Sequence, residues 1–197
     1  NNVTVSNSPT GLSLDNVKFS NFTNINASHN TGFGIITTSD AVSLQFINIT
    51  AIRNGLVQTE AAGLNIRINN SIVNGITAIN NSYYGLRILF SYNNSVSNII
   101  TNSNRGGGIS LENSENNTLS NISSDNNKNT TVFGDTGHSG LYLTSANRNI
   151  IRNFSASFNN NSGLYLTTSD DNIFVNINVS NSKFDGLNIT NSDNNIF

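Results

Sequence analysis

The chain has no cysteine, no methionine and no tryptophan, a single proline, and little charge of either sign. Without cysteine it can form neither disulfides nor thiolate metal sites. Nine Lys and Arg stand against eleven Asp and Glu in 197 residues. The net charge of −2 offers no basic face to a nucleic-acid backbone. No apolar run is long enough to span a bilayer. No signal peptide is visible, although a mature chain would have lost one. Hydrophobic content is 36% and charged content 10%, both low for a globular domain, yet too little charge is present for repulsion to keep the chain disordered. Asparagine fills the gap: 42 residues, about one in five, with serine and threonine adding 45. Few lysines and this polar, uncharged excess suit an extracellular or cell-surface protein.

What is present is a repeat. Gly-apolar-x-apolar recurs as "GLSL" at Gly11, "GLNI" at Gly63, "GLRI" at Gly85, "GISL" at Gly108, "GLYL" at Gly140 and Gly163, and "GLNI" at Gly186, with a weaker "GIIT" at Gly34. The spacings are 23, 29, 22, 23, 32, 23 and 23. A second anchor, apolar-x-Asn-apolar, lies between the glycines, as in "VSNI" at Val96 and "LSNI" at Leu119. Both anchors alternate apolar and polar residues, which is strand periodicity. Asn, Asp, Gly and Ser clusters between them read as turns. A unit this short cannot bury its own apolar face, so identical units stack.

The expected fold is all-β: a right-handed parallel β-helix, or solenoid, of about eight coils of about 23 residues, forming one domain over 1–197 without evident caps. Coils stack about 4.8 Å apart, as neighbouring strands do. An asparagine recurring in one slot would then form an internal amide ladder, expected at Asn2, Asn21, Asn48, Asn74, Asn98, Asn121, Asn153 and Asn176.

The stretch "GLYLTTSDDNIFVNINVSNSKFDGLNI" (Gly163 to Ile189) resembles the β-helices of the pectin-lyase-like superfamily, and more narrowly the NosD-type repeats of bacterial and archaeal surface proteins. The resemblance covers nearly the whole chain. It implies the fold and is almost silent on activity, since such helices serve as lyases, hydrolases, epimerases, adhesins and shafts.

Polysaccharide cleavage needs two carboxyl groups flanking the scissile bond. Asp170 and Asp193 each fall seven residues after their glycine and should stack one coil apart, with Asp171 alongside; "TGHSG" supplies His138. Asp170–Asp171 with "GHS" faintly resembles polygalacturonase motifs, but the order is reversed and that family's other motifs are missing. The same three aspartates are the weak candidates for a calcium site. Copper, suggested by the NosD-like repeats, has no ligand set, with only His29 and His138 and no Cys or Met. No cofactor is therefore expected, and the balance points away from an enzyme.

The middle residue of each glycine strand should face solvent: Ser13, Ile36, Asn65, Arg87, Ser110, Tyr142, Tyr165 and Asn188. Tyr142 and Tyr165 would be stacked neighbours, a candidate platform for a sugar ring. Long loops at about 53–62 and 126–139 fall on one edge. Of fourteen Asn-x-Ser/Thr sequons, Asn80, Asn93, Asn116, Asn129 and Asn160 are the candidates for glycosylation. Asn21, Asn48, Asn121 and Asn153 are set aside as inward-pointing.

"DNNIF" at the chain end (Asp193 to Phe197) repeats "DDNIF" at Asp170 to Phe174. Placing Asn1 after Phe197 continues the repeat nearly in register. Phe197, Ile196, Asn2, Val3 and Val5 are thus the expected contacts in head-to-tail stacking of copies, a heterologous contact that propagates. The leading expectation is a structural subunit or shaft of a surface filament or adhesin. A carbohydrate-binding or polysaccharide-cleaving β-helix is the alternative, and surface glycans are the other candidate partners.

Overall fold

Apolar residues two apart on either side of a polar one place both on the same face of a strand, and the 23-residue spacing places the next copy directly beside it. A computed structural model of the chain describes residues 2–39, 41–56, 61–128 and 139–197. Two eight-stranded parallel sheets face each other. Sheet A holds β1 (Val3–Val5), β3 (Asn21–Ala27), β6 (Gln45–Ile52), β9 (Ile72–Ile79), β11 (Ser95–Ile100), β13 (Thr118–Ser123), β15 (Ile150–Ser157) and β17 (Ile173–Ser180). Sheet B holds β2 (Leu12–Leu14), β4 (Ile35–Thr37), β7 (Leu64–Ile66), β10 (Tyr84–Leu89), β12 (Gly107–Glu112), β14 (Leu141–Thr144), β16 (Leu164–Thr167) and β18 (Leu187–Thr190). A short pair, β5 (Ala41–Val42) and β8 (Ile68–Asn69), lies at one corner. Successive strands alternate between the sheets and pair with their equivalents one coil on. The fold is the expected parallel β-helix of about eight turns.

The core is a set of columns. On sheet B, Leu86, Ile109, Leu141 and Leu164 lie in register. On sheet A, Val96, Leu119, Ile151 and Phe174 do the same. All are buried. The glycines stand where the chain passes closest to the next coil. At Gly108 a Cβ would fall 2.5 Å from the Gly140 carbonyl oxygen.

The expected asparagine slot is occupied largely as foreseen but faces outward. Asn48, Asn98, Asn121, Asn153 and Asn176 are exposed and have φ between 52° and 56°. Their amides do form a ladder: Nδ2 of Asn121 donates to Asn98 Oδ1 (3.2 Å), Asn153 to Asn121 (3.0 Å) and Asn176 to Asn153 (3.0 Å). Asn98 donates to Asn74 at 2.8 Å, although Gly75 holds the slot itself in that coil. Asn2 precedes Val3 as Asn24 precedes Ile25, so it shares the slot. Asn21 does not: it pairs with Gln45 at the start of its strand, and Asn24 takes the place, accepting from Asn48 at 3.2 Å. The reason is the αL kink. Asn tolerates φ > 0 better than other L-residues. One kinked residue between Val96 and Ile99 lets both apolar neighbours point inward.

The internal ladders are built from other asparagines. One runs Asn30, Asn54, Asn81, Asn104, Asn127, Asn159, and each Nδ2 from Asn30 to Asn127 donates to the next Oδ1 at 3.0–3.2 Å. The other runs Asn94, Asn117, Asn149, Asn172 at 2.8–3.2 Å. All ten are buried. Each lies directly after a left-handed residue: His29, Arg53, Asn80, Ser103, Asn126 and Phe158 in the first ladder, and Asn93, Asn116, Arg148 and Asp171 in the second.

Candidate functional site

The outer face of sheet B carries the column expected to face solvent, although Ser110 within it is wholly buried. Asn65, Arg87, Ser110, Tyr142, Tyr165 and Asn188 are successive register partners. Tyr142 and Tyr165 are half-buried with ring centroids 5.4 Å apart and planes tilted by 38°. Two coils back from Tyr142, Arg87 forms a two-pronged pair with Glu112 of the intervening coil: Nε to Oε1 and a terminal nitrogen to Oε2, both 2.7 Å. The Ser110 hydroxyl donates to Glu112 Oε1 at 2.7 Å. The Arg87 guanidinium lies 5.9 Å from the Tyr83 ring centroid, and Tyr83 packs edge-on against Tyr84 at 4.5 Å.

Burial raises the Tyr84 phenol well above its ordinary range, with Tyr83 and Glu112 adding to the shift. Burial, then Tyr165 and Glu112, raises Tyr142 as well. Both phenols stay protonated at neutral pH and act as hydrogen-bond donors, not bases. Burial opposes the charge on Arg87, but the Glu112 pair more than offsets it and holds the group charged. The Glu112 carboxylate accepts from Arg87 twice and from Ser110 once, so it is a fixed anchor for the surrounding rings.

The sequence column reached Tyr142 and Tyr165 but missed Tyr83, Tyr84 and Glu112. Two signals were present: "YYG" ahead of Gly85, and opposite charges on outward slots of adjacent coils, Arg87 and Glu112.

The other expected residues do not assemble here. Asp170 and Asp193 stack one coil apart, but the Asp193 N–H donates to Asp170 Oδ1 (2.7 Å) and the Asp171 N–H to the Asp193 carbonyl (3.0 Å). These are turn contacts. Among the described residues no three His, Cys, Asp or Glu side chains gather as a metal site. His138 and Asn129 lie outside the described residues, as do parts of both long loops. Asn80, Asn93 and Asn116 are exposed at left-handed turn positions, while Asn160 is half-buried. Asn48, Asn121 and Asn153 are exposed rather than inward because the αL kink turns that slot out, Asn21 is exposed at the start of its strand, and the ground for setting all four aside falls. Phe197 stacks on Phe174 at 4.7 Å with planes 5° apart, in the slot expected for it, and Ile196 bridges Ile173. Val3 and Val5 form the first rung of sheet A.

This geometry defines a parallel β-helix with an aromatic and charged patch on one flat face. The model of the family described as periplasmic copper-binding protein (NosD) matches residues 38–197, and the chain belongs to that family. No curated protein matches the sequence. The fold is similar to the A-module of the mannuronan C-5 epimerase AlgE4 of Azotobacter vinelandii (TM-score 0.68, 15% identity, covering 95% of this chain and 55% of that one). It is also similar to the periplasmic alginate epimerase AlgG (0.70, 14%, 96% and 49%). A tailspike protein of the Escherichia coli O157:H7 bacteriophage CAB120 is more distant (0.52, 12%, 86% and 25%). The chain spans about half the length of the first two. At these identities the likeness is one of fold alone.

Among the described residues there is no ligand set suited to copper. The chain has no Cys or Met, and the exposed His29 has no cluster of His, Asp or Glu around it among the described residues.

Proposed function

We propose that this chain is a carbohydrate-binding β-helix protein of the cell envelope or the space beyond it, with the outer face of sheet B as the binding surface. The observation that carries the reading is the Tyr142–Tyr165 pair, stacked at the coil spacing beside the fixed Arg87–Glu112–Ser110 group. Aromatic faces pack against the apolar faces of sugar rings, and the surrounding donors and acceptors suit hydroxyl groups. The family's description as periplasmic supports the location, and the polysaccharide named for two structures of similar fold makes alginate a first ligand to try. Binding rather than cleavage is favoured because Glu112 is held by three hydrogen bonds and the nearby phenols stay protonated. Affinity electrophoresis against alginate, cellulose and chitin tests this. Tyr142→Ala and Tyr165→Ala are each expected to weaken retention by the polymer that binds about tenfold, or about 1.4 kcal/mol. Unchanged retention in both variants would overturn the reading.

A second reading, assembly of copies end to end as a surface filament, is favoured by the exposed apolar rung of Phe184, Leu187, Ile189, Ile196 and Phe197. Of these, Leu187, Ile189 and Phe197 continue columns that are buried one coil earlier, and Leu12, Leu14 and Phe22 stand in the same columns at the other end. Electron microscopy at high protein concentration is expected to show rods that Ile189→Lys disperses. Monomers of the unaltered chain at that concentration would sink this reading.

A further inference from the structure

Beside the tyrosine platform, on the same outer face, lies a groove of about 460 Å³ lined by Thr38, Asn65, Arg67, Arg87, Phe90 and Glu112 among others. Its two arginines are in different electrical states. Arg87 is neutralised by Glu112. Arg67 has no carboxylate partner among the described residues; its guanidinium carbon sits 5.0 Å from the centroid of the Phe90 ring, which is 42% exposed. Stacking on an aromatic ring orients a guanidinium without using its donors, so the planar fork is left for an anion. Asn65, one rung from Arg87, contributes a second unmet need, since its Oδ1 is buried with no hydrogen-bond partner. A hydroxyl-bearing ligand supplies that donor after a turn of the amide about its soft terminal torsion. The groove is large enough for a sugar residue and continuous with the face that holds Tyr142 and Tyr165.

We propose that this groove is a subsite for an anionic sugar residue, its carboxylate or sulfate held by the two-pronged donor face of Arg67 and a ring hydroxyl by Asn65. The proposal rests on the carbohydrate-binding reading and adds the charge of the ligand and the residue that selects it. Glu112 does not repel such a ligand, because its charge is already matched by Arg87.

Two polymer pairs test it by affinity electrophoresis at low salt: alginate against carboxyl-reduced alginate, and dextran sulfate against dextran. Arg67→Gln is expected to lower affinity for the anionic member at least tenfold and leave the neutral member unchanged. Arg67→Lys should recover part of the loss, and added salt should shrink the difference between the unaltered protein and Arg67→Gln. The pair that responds names the group, carboxylate or sulfate. Arg67→Gln binding the anionic polymers normally, while Tyr165→Ala loses them, would overturn the subsite and leave the platform standing. Equal losses for charged and neutral polymers would mark Arg67 as structural and also overturn it. Failure of the unaltered protein to bind either anionic polymer would overturn the subsite, and unchanged binding by both Tyr142→Ala and Tyr165→Ala would remove the carbohydrate reading itself.

Discussion

Asn104→Ala is expected to lower the free energy of unfolding by about 4 kcal/mol, and Asn98→Gly by less than about 1 kcal/mol, although both asparagines belong to amide ladders. The Asn104 side chain accepts from the Asn81 N–H (2.9 Å) and Asn81 Nδ2 (3.0 Å), and donates to the Ala78 carbonyl (3.0 Å) and Asn127 Oδ1 (3.2 Å). It is wholly buried. Alanine leaves these partners in an apolar interior, and each unmet buried group costs about 1–3 kcal/mol. Partial relaxation and the bonds that Asn81 and Asn127 keep to other coils bring the sum down. Asn98 is exposed, so water replaces its ladder bonds, and its φ of 56° is one that glycine adopts without strain. Gly75 already fills the same slot in another coil. Denaturant unfolding of the two variants checks this, and comparable losses would show that the outer ladder bears load as well.

The sequence read as stacked coils because period and strand alternation agreed, and the columns around Leu86 and Val96 are as that reading requires. It erred over which amides point inward. In "VSNI" strict alternation sends Asn98 to the same side as Val96, yet the two apolar residues are three apart, which no regular strand can place on one face. Burying both Val96 and Ile99 outweighs keeping the strand regular, and Asn98 absorbs the mismatch in a left-handed kink. The internal ladders were legible elsewhere: Asn81, Asn104 and Asn127 are each 23 residues apart, as are Asn94 and Asn117, and Asn149, Asn172 and Asn195. They lie in the turn clusters, where asparagine is expected for local reasons and its recurrence is easily passed over. The site divides in the same way. Tyr142 and Tyr165 share a column and follow from the repeat alone. Glu112 reaches Arg87 diagonally across rungs, and Arg67 matters for lacking a carboxylate partner among the described residues; both depend on side-chain positions that a repeat does not specify.

A comparably large loss, about 3 kcal/mol or more, is expected for Gly108→Ala, with Gly186→Ala changing stability by under about 1 kcal/mol. The two glycines occupy one column of the repeat, so propensity and sequence context are nearly shared. Their surroundings are not. A Cβ at Gly108 would lie 1.7 Å from Ser124 Oγ, 2.5 Å from the Gly140 carbonyl oxygen and 2.9 Å from Thr101 Oγ1. Ser124 cannot turn away cheaply: its hydroxyl donates to the Gly140 carbonyl (2.6 Å) and accepts from Asn127 Nδ2 (3.1 Å) in the buried ladder. Displacing β12 instead would strain its register with β14, from Ile109–Leu141 to Glu112–Thr144. At Gly186 the nearest atom to an added Cβ is a Val179 methyl at 3.5 Å, an ordinary contact. Adding Ser124→Ala to Gly108→Ala should recover only part of the loss, because the Gly140 oxygen remains at 2.5 Å. The same displacement carries Ser110 and Glu112, so Gly108→Ala should also weaken polysaccharide retention while Gly186→Ala leaves it unchanged. Equal stability of the two variants would mean that the coils can part locally at Gly108, and the fixed spacing on which the tyrosine platform depends would then have to come from another source.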